Sequence, residues 1–260
     1  MPTRRGNHTA SARFKRPRAP RSLLLLLLAV LAGLISAYAL SQSGTGQAQE
    51  PQTPVSTAAA LEETRARIDV LGDSYVAGSD EGGKGLSNWT SLTGTRFYED
   101  GNPVELNPVA QPGSGYITRG ATGLVFGEAA NQFLSPEADV VLVFGSRNDG
   151  RQSDAAMYEA ARSLYMDLQT LAPKAEIIVV GPVWVDANVP SSISANNQAI
   201  ARAAADAKVR YVDALAEGWF AGSDSTLIGT DGVHPTNAGH AYLADKIYPI
   251  LAETVAGLAR

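Results

Sequence analysis

Three short stretches of the chain carry residue types that transfer acyl groups: a serine, an imidazole with an acid beside it, and donors able to hold a negative oxygen. The apolar run Ile68–Leu71 gives way through Gly72 to Asp73-Ser74. A hydroxyl at the carboxyl end of a buried strand can be a displayed nucleophile or a simple turn former. Asp231-Gly232-Val233-His234 sets acid and imidazole three residues apart. A carboxylate there can accept a hydrogen bond from one ring nitrogen and leave the other as an acceptor, as a general base requires. It can equally cap the turn while His234 packs on Pro235. The other two histidines are His8, in a basic leader, and His240, in the final helix, where a solvated or capping role is expected.

A third stretch, Gly145-Ser146-Arg147-Asn148-Asp149, follows another apolar run. Asn148 can donate its side-chain amide to a developing oxyanion, or close an Asx turn. Gln111-Pro112-Gly113-Ser114-Gly115-Tyr116 reads, by itself, only as a glycine-rich loop. Ser74 lacks the flanking glycines of a G-x-S-x-G elbow, and no Gly-Lys-Ser/Thr phosphate loop is present. The absence of cysteine excludes disulfides, thiolate catalysis and cysteine-ligated metals.

These stretches need a frame. Apolar, β-branched runs recur at Ile68–Leu71, Val104–Val109, Ala138–Gly145, Glu176–Gly181 and Val209–Asp213, continuous rather than alternating, as strands buried on both faces read. Helical spacing fills the intervals: Gly123–Phe133, Ser153–Leu171 ended by Pro173, Ser192–Ala207, then Asn237–Ile247 with a further segment after Pro249. Strands alternating with helices predict a three-layer α/β/α domain around a parallel sheet, with Ser74, Gly145 to Asp149 and Gly181-Pro182 at one rim.

The amino terminus reads differently. Arg4, Arg5, Arg13, Lys15, Arg16, Arg18 and Arg21 precede an apolar run from Leu23 to Leu40, with Ala37-Tyr38-Ala39 as a cleavage-like site. Residues 1–40 are therefore expected to be a cleaved export signal or a retained membrane anchor; both send the remainder out of the cytoplasm. Residues 41–64, rich in Gln, Ser, Thr, Pro and Ala, read as a flexible linker, and residues 65–260 as the domain. The leader holds seven of the 21 basic residues and none of the 26 acidic ones, so the remainder is strongly acidic and nucleic acid is excluded as an expected partner.

In this order and at these strand exits, the four elements resemble the SGNH hydrolases, also called the GDSL esterase/lipase family, over about Ile68 to Leu251. The resemblance implies a flavodoxin-like fold with a five-stranded parallel sheet. It implies Ser74 as nucleophile and oxyanion donor, His234 as base, Asp231 as its orienting acid and Asn148 as side-chain oxyanion donor. Ser146 stands where the family's block has a glycine. Gly115 is the expected oxyanion glycine, with Gly113 as the alternative.

The expected function is that of an exported serine esterase, cofactor-free and metal-free, acting on short acyl esters, acetyl above all, of an envelope glycan or a small polar molecule. Competing readings are an acyltransferase with the same serine, a long-chain lipase acting on lipid, and a non-catalytic envelope-binding domain. Membrane contact is expected only through the amino-terminal segment if it is retained. Asn88, Trp89, Trp184 and Trp219 are candidates to border the substrate, with core packing as the plainer reading. The polar segment Ser79–Gly85 argues against a trough for long acyl tails.

Overall fold

The computed structural model describes residues 65–145, 147–150, 152–222 and 226–258. The expected leader, the linker and Ser146 lie outside them. Five strands are present: β1 (Arg67–Gly72), β2 (Glu105–Ala110), β3 (Val140–Phe144), β4 (Glu176–Val180) and β5 (Arg210–Val212). They form one parallel sheet in the order β2-β1-β3-β4-β5. This is the doubly wound flavodoxin-like order, whose switch point lies between β1 and β3. The loops after those two strands carry Ser74 and Asn148, so the topology itself opens a crevice between them.

Successive residues of a strand face opposite sides of the sheet, and both sides here are buried. Ile68, Val70, Leu142, Phe144, Ile178 and Val180 belong to one core, with α2 (Trp89–Glu99) and α6 (Asn237–Gly257) packed over it. Leu71, Val141, Val143, Ile177 and Val179 belong to the other, under α3 (Phe126–Phe133), α4 (Asp154–Leu171) and α5 (Ser191–Ala207). The central strand β3, Val-Val-Leu-Val-Phe, has no solvent-exposed residue. That is why the strands read as continuous apolar runs. Pro108 pairs with Val70 in β2, an edge strand, where a missing N–H can face outward.

Two elements depart from the sequence expectation. Asn88 and Trp89 do not border a substrate: Asn88 caps α2 by accepting from the Thr90 amide, and Trp89 is fully buried beneath it. Its Thr-rich, glycine-containing sequence, Trp-Thr-Ser-Leu-Thr-Gly-Thr, hides α2 from propensity. The carboxyl-terminal helix also does not break at Pro249 but runs from Asn237 to Gly257. Proline removes one backbone bond and costs about 3 kcal/mol in a helix interior; burial of Leu251 and Val255 beyond it offsets that loss. Among the described residues no helix is long and apolar enough to cross a membrane.

Candidate active site

The chain leaves β1 through Gly72, where a Cβ would lie 2.4 Å from a Val76 methyl and 2.5 Å from the Phe144 carbonyl oxygen. Only glycine lets the next turn sit so close to β3. That turn is α1 (Ser74–Ala77), capped by the Asp73 carboxylate accepting from the Tyr75 amide at 2.9 Å. Ser74 is thereby its first residue. Its Oγ lies 3.0 Å from His234 Nε2, and His234 Nδ1 lies 2.6 Å from Asp231 Oδ2. Asp231 Oδ1 accepts the amides of Val233 and His234, at 2.8 and 2.9 Å. Its hydrogen bonds with His234 hold its pKa down at about 2, so the acid facing the imidazole is ionised. The structure thus brings Ser74, His234 and Asp231 into one relay at the rim of the sheet.

Asn148 joins them from the short 3-10 turn Arg147–Asp149 after β3. Its Nδ2 donates to the Ser114 carbonyl at 2.8 Å and to Asp73 Oδ2 at 3.2 Å. Asp73 is 2% exposed, and burial pushes its pKa up to about 6 against the lowering effect of the Tyr75 amide and the nearby His234. Gly145, at φ +142°, keeps open the space beside it, since a Cβ there would lie 3.0 Å from Asp73 Oδ2. The serine turn and the asparagine turn are therefore tied together through one buried carboxylate.

The expected oxyanion glycine, Gly115, is not placed for that role. Its amide donates to the Thr118 carbonyl at 2.9 Å, and a Cβ on it would sit 2.1 Å from Asp149 Oδ2. Gly115 is a glycine because Asp149 needs the room. The fully buried Asp149 carboxylate accepts the amides of Tyr116, Ile117 and Thr118, so this acid fastens the glycine-rich loop to the Asn148 turn. Gly113, at φ +75°, is uncrowded, since a Cβ there would meet only Gly120 Cα, at 3.9 Å, and it lines the cavity beside Ser74. The backbone angles that distinguish the two glycines are not written in the residue types.

Several residues of the site left no mark in the sequence. Glu81 accepts the Thr230 amide at 3.0 Å, the Thr230 hydroxyl at 2.8 Å and the Asp231 amide at 3.3 Å. The Gly83 amide reaches Asn237 Oδ1 at 2.9 Å. The segment Ser79–Gly85 thus braces the histidine loop and does not line the cavity over Ser74. Tyr75 donates its hydroxyl to the Val233 carbonyl at 2.6 Å, steadying the same loop. His240, expected to be solvated or capping, is fully buried against Gly83, and burial lowers its pKa to about 4. Its Nδ1 lies 3.4 Å from the Trp89 amide, so it packs as a neutral ring outside the relay. Trp219 is buried in the core, whereas Trp184 stays partly exposed near the site.

The cavity over the relay has a volume of about 580 Å³ and runs from His234 and Val233 past Ser74 and Asn148 to Gly113 and Ala121. Among the described residues no cluster of three or more His, Asp or Glu side chains is arranged to hold a metal ion.

Comparison with known proteins gives a consistent picture. The model of the GDSL-like lipase/acylhydrolase family matches residues 70–242. A GDSL lipase of Mycobacterium tuberculosis is 35% identical over 193 residues, which is 73% of this chain and 83% of the relative. Among solved structures, a lipase/acylhydrolase from Enterococcus faecalis aligns with a TM-score of 0.59 at 18% identity, over 75% of this chain and 97% of that one. An acetyl xylan esterase aligns with a TM-score of 0.56 at 17% identity, over 71% of this chain and 98% of that one.

Proposed function

Because the chain belongs to the GDSL-like lipase/acylhydrolase family and is a serine ester hydrolase, we propose that Ser74 is its nucleophile and that it removes short acyl groups from a polar alcohol outside the cytoplasm. The observation that carries this reading is the unbroken relay Ser74 Oγ–His234 Nε2 and His234 Nδ1–Asp231 Oδ2, at 3.0 and 2.6 Å.

Ser74 Oγ attacks the ester carbonyl carbon while His234 Nε2 takes its proton. Asp231 fixes the ring and stabilises the imidazolium. The carbonyl electron pair moves to oxygen, where the Ser74 and Gly113 amides and Asn148 Nδ2 receive it. Asn148 keeps its 2.8 Å bond to Ser114, and the oxyanion competes for the hydrogen shared with Asp73 at 3.2 Å. Collapse breaks the bond to the alcohol oxygen, which leaves with the proton from His234. Water then enters and bonds to the acyl carbon as the same nitrogen takes one of its protons; the acyl–Oγ bond breaks as that proton passes to Ser74 Oγ, releasing the acid and restoring the relay.

Two observations support a short acyl group. The cavity wall is made of Pro112, Gly113, Gly120, Ala121 and Val233 together with polar and aromatic side chains, and Val233 is its one large aliphatic residue. Each buried methylene is worth ~0.8 kcal/mol, so a tail groove would show as kcat/KM rising steeply with chain length. The likeness to an acetyl xylan esterase is one of fold, and it agrees with an acetylated glycan as substrate. The basic, then apolar leader supports export, with residues 41–64 as a tether to the domain. A series of para-nitrophenyl esters tests the acyl preference. A maximum at two to four carbons is expected; steady improvement to twelve or sixteen overturns it in favour of a long-chain lipase.

A further inference from the structure

The cavity over Ser74 does not end at Arg147. Beyond that side chain lies a second hollow of about 570 Å³, walled by Gln152, Trp184 and Ser192 and sharing Arg147 and Asn148 with the first. The Arg147 guanidinium carbon sits 4.2 Å from the centre of the Trp184 ring. A guanidinium laid on an indole face is held by the ring's negative quadrupole, and its in-plane N–H edges stay free to bind. Its Nη1 reaches the Val233 carbonyl only at 3.5 Å, and the guanidinium also faces the Tyr75 hydroxyl, which leaves the rest of its N–H edge open. Arg67, Arg96, Arg119, Arg202 and Arg210 each pair with a carboxylate. Arg147, like Arg65 and Arg162, makes no such pair among the described residues. A half-buried cation with no carboxylate in ion-pair contact, its charge reaching the buried Asp73 only at longer range, and fixed in orientation at the mouth of a reaction cavity, is a site for an anion.

Its place relative to the relay says which half of the substrate would carry that anion. The imidazole that takes the serine proton returns it to the departing alkoxide, so the alcohol half lies on the His234 side. Arg147 touches Val233, the residue before His234. We propose that the Arg147–Trp184 hollow is the alcohol-side subsite and that it selects esters whose alcohol portion carries a carboxylate or phosphate, such as an acylated acidic sugar. The chain as a whole has a formal charge of −5, so distant attraction does not favour such substrates. Selection comes from contact in the hollow, by the bidentate fork that Arg offers to carboxylate and phosphate alike.

This inference rests on Ser74 being the nucleophile, and the test separates the two. Para-acetoxybenzoate, para-acetoxyphenyl phosphate and neutral para-acetoxybenzamide share the acetyl group and differ in the charge on the alcohol. With rates normalised to alkaline hydrolysis, the wild-type kcat/KM for an anionic ester should exceed that for the amide by about tenfold or more, the size of a charge-assisted contact. Preference for the carboxylate over the phosphate points to an acidic sugar, and the reverse to a phosphorylated alcohol. Arg147→Gln should collapse the anionic-to-neutral ratio, and Arg147→Lys, which keeps charge without the planar fork, should restore part of it. Equal handling of the three esters by the wild type overturns the proposal without any variant. An equal fall on all three in Arg147→Gln also overturns it, since that is what a purely structural hold on Val233 would give. Hydrolysis of the neutral ester that persists in Ser74→Ala would instead remove the nucleophile on which the inference stands.

Discussion

Asp73 is a carboxylate that the site holds at a cost, and replacing it with asparagine exposes that cost. Its pKa is raised from 3.8 to about 6 by burial, so in the window between those values the folded protein binds a proton that the unfolded chain does not. Stability from this group is therefore present in full below about pH 4 and is lost as pH rises through about 6. The shift corresponds to about 3 kcal/mol of destabilisation at neutral pH. In Asp73→Asn that component vanishes. The asparagine oxygen still accepts from the Tyr75 amide, but its NH2 group meets Asn148 Nδ2, donor against donor, where Asp73 accepted at 3.2 Å. That mismatch lowers stability by an amount that does not depend on pH, and it turns Asn148 away from the oxyanion. Urea unfolding of wild type and variant from pH 4 to pH 7 gives the assay. The variant's stability minus the wild type's should climb by about 2 kcal/mol across that range, most of the full effect, whatever its starting offset. Groups such as Asp231, held near 2 and titrating in both proteins, cancel in the difference. A flat difference curve would refute the argument that Asp73 is a strained, desolvated carboxylate.

Asn148→Ala should lower kcat by on the order of 10²-fold with little change in KM; a variant that melts early but keeps its turnover number would make Asn148 a structural turn only. Glu81→Ala removes the carboxylate that holds the Thr230 and Asp231 amides. It should cost about 1 kcal/mol of stability and reduce kcat more than it raises KM, because the histidine loop loses its brace. Glu81→Gln should recover part of the rate, and thermal melts beside steady-state kinetics check both. An unchanged kcat in Glu81→Ala would leave Glu81 without influence on the relay.

The sheet was legible because its strands are buried on both faces: nothing but a continuous β-branched run fits Val140–Phe144 between two helical layers. The relay was legible for a related reason, since serine, acid and imidazole chemistry is restricted to few residue types, and this chain has only three histidines to choose from. What was not legible depends on backbone angle and long-range contact. Gly113 and Gly115 differ by φ and by the approach of Asp149 from another strand exit. Glu81 braces residues about 150 positions away, and no local pattern encodes such a partner. Pro249 would end a helix by local rules, yet burial of the following turn carries α6 through it.

The central claim, that Ser74 is the nucleophile of an acyl-serine hydrolase, is met most directly by mass spectrometry of the intact protein after reaction with a serine-directed phosphonate. One phosphonyl group on the peptide containing Ser74, together with loss of both label and ester hydrolysis in a folded Ser74→Ala variant, is the predicted result. A label on a different serine, or a Ser74→Ala protein that still turns over esters, would contradict it.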